Sequence, residues 1–94
     1  MMSKIPGSFE KMDKKTIDKE ILRIGIISEL DAVNLYEQLA AIAKDEKIKK
    51  VLLDIAKEEK THVGEFQKLL LNRDKEQKEE LEHANKEIKE LVGE

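Results

Sequence analysis

The chain has 94 residues, of which 41% are charged and 39% apolar, and its formal net charge is −3. This length corresponds to one small domain, and acids and bases spread along the chain leave no basic patch of the kind that binds nucleic acid. Cysteine is absent, which excludes disulfides and thiolate chemistry, so any metal must be bound by carboxylate oxygens and imidazole nitrogens.

The first twelve residues, which include Pro6 and Gly7, show no sustained periodicity and predict a flexible N-terminal arm. They lack the apolar stretch of a secretory signal, and no run of about 18 apolar residues that could span a membrane occurs in the sequence. These features predict a cytoplasmic protein that has no membrane partner.

The first helix is predicted to begin near Asp13 to Thr16, because either residue offers a side-chain oxygen to free backbone N–H groups. Helical periodicity continues to about Ala43, and residues at alternating four- and three-residue steps form a heptad seam with one ionisable member, Glu29. The seam comprises Leu22, Ile26, Glu29, Val33, Tyr36, Ala40 and Ala43. A second apolar line, which predicts contact with more than one neighbouring helix, comprises Ile17, Ile21, Ile24, Ile27 and Leu35.

Residues 44–47 form the predicted break before the second helix, with Asp45 as its N-cap. This helix is predicted to continue to about Asn72. Its heptad seam carries two ionisable residues, Glu59 and His62, at consecutive positions. The seam comprises Ile48, Leu52, Ile55, Glu59, His62, Phe66 and Leu69.

A second break at residues 72–75 precedes a third segment with a thin apolar stripe. This pattern predicts a short, partly frayed helix that ends at Gly93, a residue suited to a helix C-cap. The predicted organisation is therefore all-α: a flexible arm at residues 1–12, a two-helix hairpin at 13–75, and a C-terminal helix and tail at 76–94.

The three ionisable seam residues are predicted to meet. A turn near Asp45 makes the two long helices antiparallel, so residues equally far from the turn lie at one level. Glu29 lies sixteen residues before Asp45, and Glu59 and His62 lie fourteen and seventeen residues after it. At about 1.5 Å of rise per residue, all three lie roughly 21 to 26 Å from the turn.

Two carboxylates and one imidazole suit a divalent ion of iron, manganese or zinc. Three ligands leave one ion under-coordinated, but a twofold-related copy raises the set to four carboxylates and two imidazoles, enough for two metals. That is the set of ferritin-like di-iron bundles, in which two helices each supply a Glu and two others each supply a Glu-x-x-His. One chain encodes half of this set, which predicts a homodimer that completes both the four-helix bundle and the metal site.

Residues 13–75 resemble the encapsulated ferritins, short ferritin-like proteins housed inside encapsulin shells. The resemblance rests on "SELDAVNLYEQLA" at 28–40 and "EEKTHVGEF" at 58–66, with thirty residues from Glu29 to Glu59. It implies that two hairpins pair into a four-helix ferroxidase centre with Glu29, Glu59 and His62 as iron ligands. It also implies that the dimers assemble into rings, commonly of ten chains.

The resemblance further implies an acidic iron-uptake site beside the first ligand and a route into the shell. Asp31 keeps one of the expected acids and is a secondary candidate ligand, whereas Ser28 stands where another acid is expected. Members of the family reach the encapsulin shell by a C-terminal targeting peptide or by fusion to the shell protein. This chain ends in "ELVGE", without a clear apolar targeting tail, and both a complete chain and a module cut from a fusion stay open.

The ligand set and the resemblance together predict a ferroxidase that oxidises Fe(II) to Fe(III) at a di-iron centre between subunits, and the resemblance implies that it feeds iron storage inside an encapsulin nanocompartment. Zinc, manganese or calcium is expected to substitute for iron in vitro.

Two other interpretations stay open. A polar residue in a heptad seam often fixes register or oligomeric state, so one alternative is a structural helical oligomer or a zinc-stabilised interaction module. Another is a rubrerythrin-like di-metal peroxidase or a manganese catalase, although those proteins generally supply both halves of the ligand set in one chain. His83 has no matching ligand partner on an apolar face, and we interpret it as a solvated histidine.

Overall fold

Three α-helices make up the part of the chain that the computed structural model describes, residues 13–94. They are α1 (Lys14–Ile42), α2 (Glu46–Leu71) and α3 (Lys75–Val92). No strand occurs within this range, so the predicted all-α fold is confirmed. The predicted arm at residues 1–12 lies outside the described residues. None of the described helices combines the length and the apolar character needed to cross a membrane.

An aspartate stands at the start of each helix. Asp13, Asp45 and Asp74 each accept a hydrogen bond from a backbone N–H two or three residues further along, at 2.8 to 3.2 Å. Such caps satisfy donors that have no partner within the helix. At the other end of α3, Gly93 adopts a φ of +79°, the left-handed conformation that ends many helices. These local signals explain why the helix ends lie within one or two residues of their predicted positions.

Helices α1 and α2 form an antiparallel hairpin whose buried contact line is narrow. Its buried apolar residues are Leu22, Val33, Ala40, Ala56 and Leu70. Large apolar side chains remain exposed by 36 to 80% on all three helices: Ile21, Leu30, Leu35, Leu39, Ile42, Ile48, Val51, Leu53, Leu69, Leu81, Ile88, Leu91 and Val92. Apolar surface of this extent is typical of a protein–protein interface.

The two ends of the predicted α2 seam are exposed in the single chain. Ile48 and Leu69 are 56% and 43% exposed, whereas Leu70, next to Leu69, and Ala56, in the middle of the helix, are buried. The reason is that α2 packs against α1 over one line of residues, so the rest of its wider apolar stripe faces away from the hairpin. Periodicity identifies the stripe, but it does not say which edge of the stripe meets the first neighbour.

Helix α3 contacts the hairpin far less than α1 and α2 contact each other, and it has no buried residue. It is helical through all of its 18 residues, so the predicted fraying is not seen. Ion pairs one turn apart on its exposed surface, such as Lys75 with Glu79 at 3.8 Å, support a helix of this kind.

An ion pair between Arg23 and Asp74 joins α1 to the start of α3. Arg23 Nη2 donates to Asp74 Oδ2 at 2.7 Å, while Asp74 Oδ1 accepts from the Gln77 backbone N–H at 3.0 Å. The hydrogen bond from the Gln77 backbone lowers the pKa of Asp74 most, and the hydrogen bond from Arg23 and the positive charge of Lys19 lower it further. Partial burial of the Asp74 carboxylate opposes this shift. One carboxylate thus caps α3 and holds it against the hairpin.

We expect this ion pair to make stability depend on pH in the acid range. Because the pKa of Asp74 is lower in the folded state, its contribution is complete above about pH 5 and is lost as the pH falls below about 4. Asp74→Asn keeps a capping oxygen but has no charge to titrate. Denaturant unfolding of both proteins between pH 7 and pH 2 should show that wild type loses more stability than the variant as the pH falls. Parallel plots of stability against pH would show that Asp74 does not contribute in this way.

Candidate metal centre

Glu29, Glu59 and His62 meet between α1 and α2. His62 Nδ1 lies 3.4 Å from Glu29 Oε2 and 3.4 Å from Glu59 Oε2, and one ligand atom from each residue falls within 4.8 Å of the others. The two glutamate side chains are about one-fifth exposed and the histidine is 45% exposed. Among residues 13–94, this is the group of three or more potential ligands close enough to share an ion.

The local fold explains why the three side chains converge. Glu59 and His62 are three residues apart on α2, so their side chains leave the same face of the helix. Glu29 reaches them from α1 because the Asp45 turn makes the helices antiparallel and places the residues at a similar distance from it. The structure therefore shows the predicted convergence, while binding of a metal by these residues stays a prediction.

The spacing of the imidazole nitrogen from each carboxylate oxygen fits two ligands of one divalent cation. Two ligands that each lie about 2.1 Å from one ion are about 3.0 to 3.4 Å apart for octahedral or tetrahedral angles. The two distances from His62 Nδ1 to carboxylate oxygens equal the upper value. A single N–H on Nδ1 can donate to only one of two such oxygens at full strength, whereas a cation would attract the nitrogen lone pair and both carboxylates together.

Two further contacts beside this triad join the same helices, and sequence periodicity did not identify them. Lys60 Nζ of α2 donates a hydrogen bond to Glu37 Oε2 of α1 at 2.9 Å. One turn from the triad on the other side, the Phe66 ring lies against Gly25 so closely that a Cβ there would sit 3.1 Å from two ring carbons. A glycine in the middle of an apolar helix was the only sequence signal for the second contact.

Asp31 does not join the triad. It lines a separate surface depression together with Ser28, Ala32, Asn34, Leu35 and Gln38. Two residues along an α-helix correspond to about 200° of rotation, so Asp31 and Glu29 leave α1 on nearly opposite sides. Within this chain, the secondary candidate ligand therefore contributes no atom to the predicted metal cluster.

His83 has the same local spacing to a glutamate as His62 but a different surrounding. Its Nδ1 lies 3.4 Å from Glu80 and its Nε2 lies 3.3 Å from Glu87, and all three side chains are more than 60% exposed on α3. The two carboxylates face different ring nitrogens, and in the described residues no second helix brings a ligand to them. The prediction of a solvated histidine fits this position.

Comparisons with known proteins agree with the fold. The rubrerythrin family model matches residues 20–92, a span that includes all three triad residues. A ferritin-like–encapsulin shell fusion protein from Pyrococcus furiosus is 61% identical over 74 residues, which are 79% of this chain and 21% of that protein. The chain thus spans about a fifth of the length of this curated relative.

A solved structure supports the same assignment. The crystal structure of the encapsulated ferritin domain from Pyrococcus furiosus matches all of this chain and 90% of that chain, with a TM-score of 0.80 and 50% sequence identity. Together with the fusion protein, this match confirms the predicted resemblance to the encapsulated ferritins.

We expect a divalent cation to stabilise the folded protein through the triad. Ligand at 100 times its dissociation constant raises the free energy of unfolding by about 2.7 kcal/mol. Thermal unfolding with Mn(II), reversed by a chelator, measures this effect. His62→Ala should abolish it, and Glu58→Ala, which removes an exposed acid adjacent to Glu59, should not. An equal metal-dependent shift in His62→Ala would mean that the cation binds elsewhere.

Proposed function

The chain belongs to the rubrerythrin family and has the fold of the encapsulated ferritin domains, and from this premise we propose that it is a ferroxidase. Its centre would be completed by a second copy of the chain. The observation that carries this proposal is the convergence of Glu29, Glu59 and His62 at one point of the α1–α2 contact. Carboxylates and imidazole in this combination are the ligand types of di-iron bundles.

The incomplete ligand set supports the second copy. Three donors from one chain leave a divalent ion with open positions, and His62, the most exposed of them, is accessible from outside the hairpin. A twofold axis near the triad would give two ions four carboxylates and two imidazoles. The same dimerisation would cover the exposed apolar side chains of α1 and α2.

The protein residues have distinct roles in the proposed reaction. Fe(II) is the substrate: two ions each give one electron to dioxygen, which takes two protons and becomes hydrogen peroxide. Glu29 and Glu59 would bind the ions and, as anionic oxygen ligands, favour Fe(III) over Fe(II). His62 would bind through Nδ1, the nitrogen that faces both carboxylates. Open coordination positions would leave room for the oxidant.

An encapsulin shell is the proposed partner. The relative from Pyrococcus furiosus is named as a fusion of a ferritin-like part with an encapsulin shell, and we extend that association, as a fused or separate chain, to this protein. A small helical bundle has little internal volume for mineral, so oxidised iron must be stored elsewhere. We therefore propose that dimers of this chain, in a ring of ten, act inside the shell.

A rubrerythrin-like peroxidase is the second candidate, and the family match itself favours it. In that reaction hydrogen peroxide would be the oxidant of physiological importance. The presence of only half a ligand set in each chain supports the ferroxidase instead. Stopped-flow oxidation of bound Fe(II) by dioxygen and by peroxide at equal concentration compares the two, and a strong preference for peroxide would favour the peroxidase.

We expect metal-free protein to bind two Fe(II) per dimer without oxygen and to oxidise them rapidly on exposure to air. Absorbance of Fe(III) and native mass follow the two events. Glu59→Ala and His62→Ala should reduce the rate to that of buffer, because each removes a ligand, while Glu58→Ala should retain it. Metal-dependent assembly without oxidation would instead favour the structural zinc alternative.

Dimerisation and activity are expected to depend on protein concentration together. Because the centre needs ligands from two chains, the oxidation rate per chain should rise with concentration until the dimer is saturated. Rates measured at fixed iron-to-protein ratio, beside the dimer fraction from native mass spectrometry, test this. A rate per chain that stays constant through dissociation would show that one chain suffices.

A further inference from the structure

We propose that Gly25 is a positioning residue for the metal centre. Its missing side chain lets the Phe66 ring lie against the α1 backbone, and this contact sets the separation of α1 and α2 at the triad. The inference rests on the metal site proposed above and adds the residue pair that fixes its dimensions. Gly25 itself would touch neither the metal nor the oxidant.

The contact between Gly25 and Phe66 leaves no room for a larger residue. A Cβ built at Gly25 would lie 3.1 Å from Phe66 Cδ2, 3.1 Å from Cε2 and 3.3 Å from Cγ, three consecutive carbons on one side of the ring. Ordinary contact begins at about 3.4 Å, so even alanine requires the ring or the helix to move by a few tenths of an ångström. The ring therefore acts as a spacer between the helices.

This spacer lies one helical turn from the ligands on both helices. Gly25 is four residues before Glu29, and Phe66 is four residues after His62. Residues four apart share a helix face and are separated by slightly more than one turn, a rise of about 6 Å along the axis. A helix is stiff over one turn, so displacement of α2 at the ring moves the imidazole of His62 relative to the carboxylate of Glu29.

Displacements of this size matter more to a metal site than to a hydrophobic contact. Distances from ligand atoms to a bound metal vary by only about 0.2 Å, and a site loses function when its groups move by about 0.5 Å. The apolar contact of the hairpin can absorb the same shift by side-chain adjustment. Gly25 is therefore expected to affect metal binding beyond its effect on the fold.

Glycine at position 25 lowers the stability of the helix itself, and the close contact with Phe66 offers a reason for its presence. Glycine destabilises a helix interior relative to alanine because its backbone is more flexible when unfolded. Gly64, in the middle of α2, provides the matched control, because a Cβ built there meets nothing within 4 Å. The two glycines share the helical setting and differ in what lies beside them.

The experiment titrates the full-length, metal-free protein with Co(II) under argon. It records the dissociation constant and the visible absorption bands, which report coordination geometry, and measures thermal unfolding beside them. The proteins are wild type, Gly25→Ala, Gly64→Ala, Phe66→Leu and the double variant Gly25→Ala/Phe66→Leu. In the double variant, a smaller side chain at position 66 offsets the added Cβ at position 25.

Gly25→Ala and Phe66→Leu should each weaken Co(II) binding by about tenfold, the lower end of the effect of removing a supporting contact at a metal site, and should shift the visible bands. Gly64→Ala should bind like wild type. The double variant should bind more tightly than either single variant, because the two changes act through one contact.

The outcomes separate this inference from the proposed function. If wild type does not bind Co(II), the metal site itself fails. If wild type binds and Gly25→Ala has the same affinity and spectrum, even with a lower melting temperature, the contact is only structural and the inference is overturned. Should Gly25→Ala not fold, unchanged binding by Phe66→Leu overturns it equally.

Discussion

Two carboxylates and an imidazole share one point of an otherwise apolar contact between α1 and α2, and this polar cluster constrains the rest of the molecule. Charged groups withdrawn from water are unfavourable unless they are paired or bind a cation. Here Glu29 and Glu59 are about four-fifths buried and both face one nitrogen of His62. One imidazole nitrogen compensates two neighbouring carboxylates poorly, whereas a divalent cation would compensate both.

The same constraint connects the metal to assembly. The hairpin brings together three potential ligands, too few to complete the coordination of a divalent ion, and leaves large apolar side chains exposed on both long helices. A second copy related by a twofold axis would complete the ligand set and cover the exposed apolar side chains at one interface. Helix α3 is held at its start by the Arg23–Asp74 ion pair, contacts the hairpin little elsewhere, and adds further exposed apolar surface.

Much of the fold followed from local signals in the sequence. Asp13, Asp45 and Gly93 marked helix ends because caps act over two to four residues, and heptad spacing placed the ionisable residues on one face of each helix. Counting residues from the Asp45 turn was enough to predict that Glu29 lies at the level of Glu59 and His62, since a short turn makes two long helices antiparallel. Resemblance to the encapsulated ferritins pointed to the same three residues.

The sequence by itself determined the three helices, their ends and the residues of the triad, because these depend on spacing along one chain. Only the tertiary structure gave the distances within the triad, with His62 Nδ1 at 3.4 Å from both Glu29 and Glu59, and showed that the pair at 80 and 83, which has the same spacing, lies exposed on α3. It also placed Asp31 away from the cluster and revealed the contacts of Gly25 with Phe66 and of Arg23 with Asp74. Helical periodicity fixes which residues share a face, but the neighbour that this face meets, and how closely, depends on how separate helices pack.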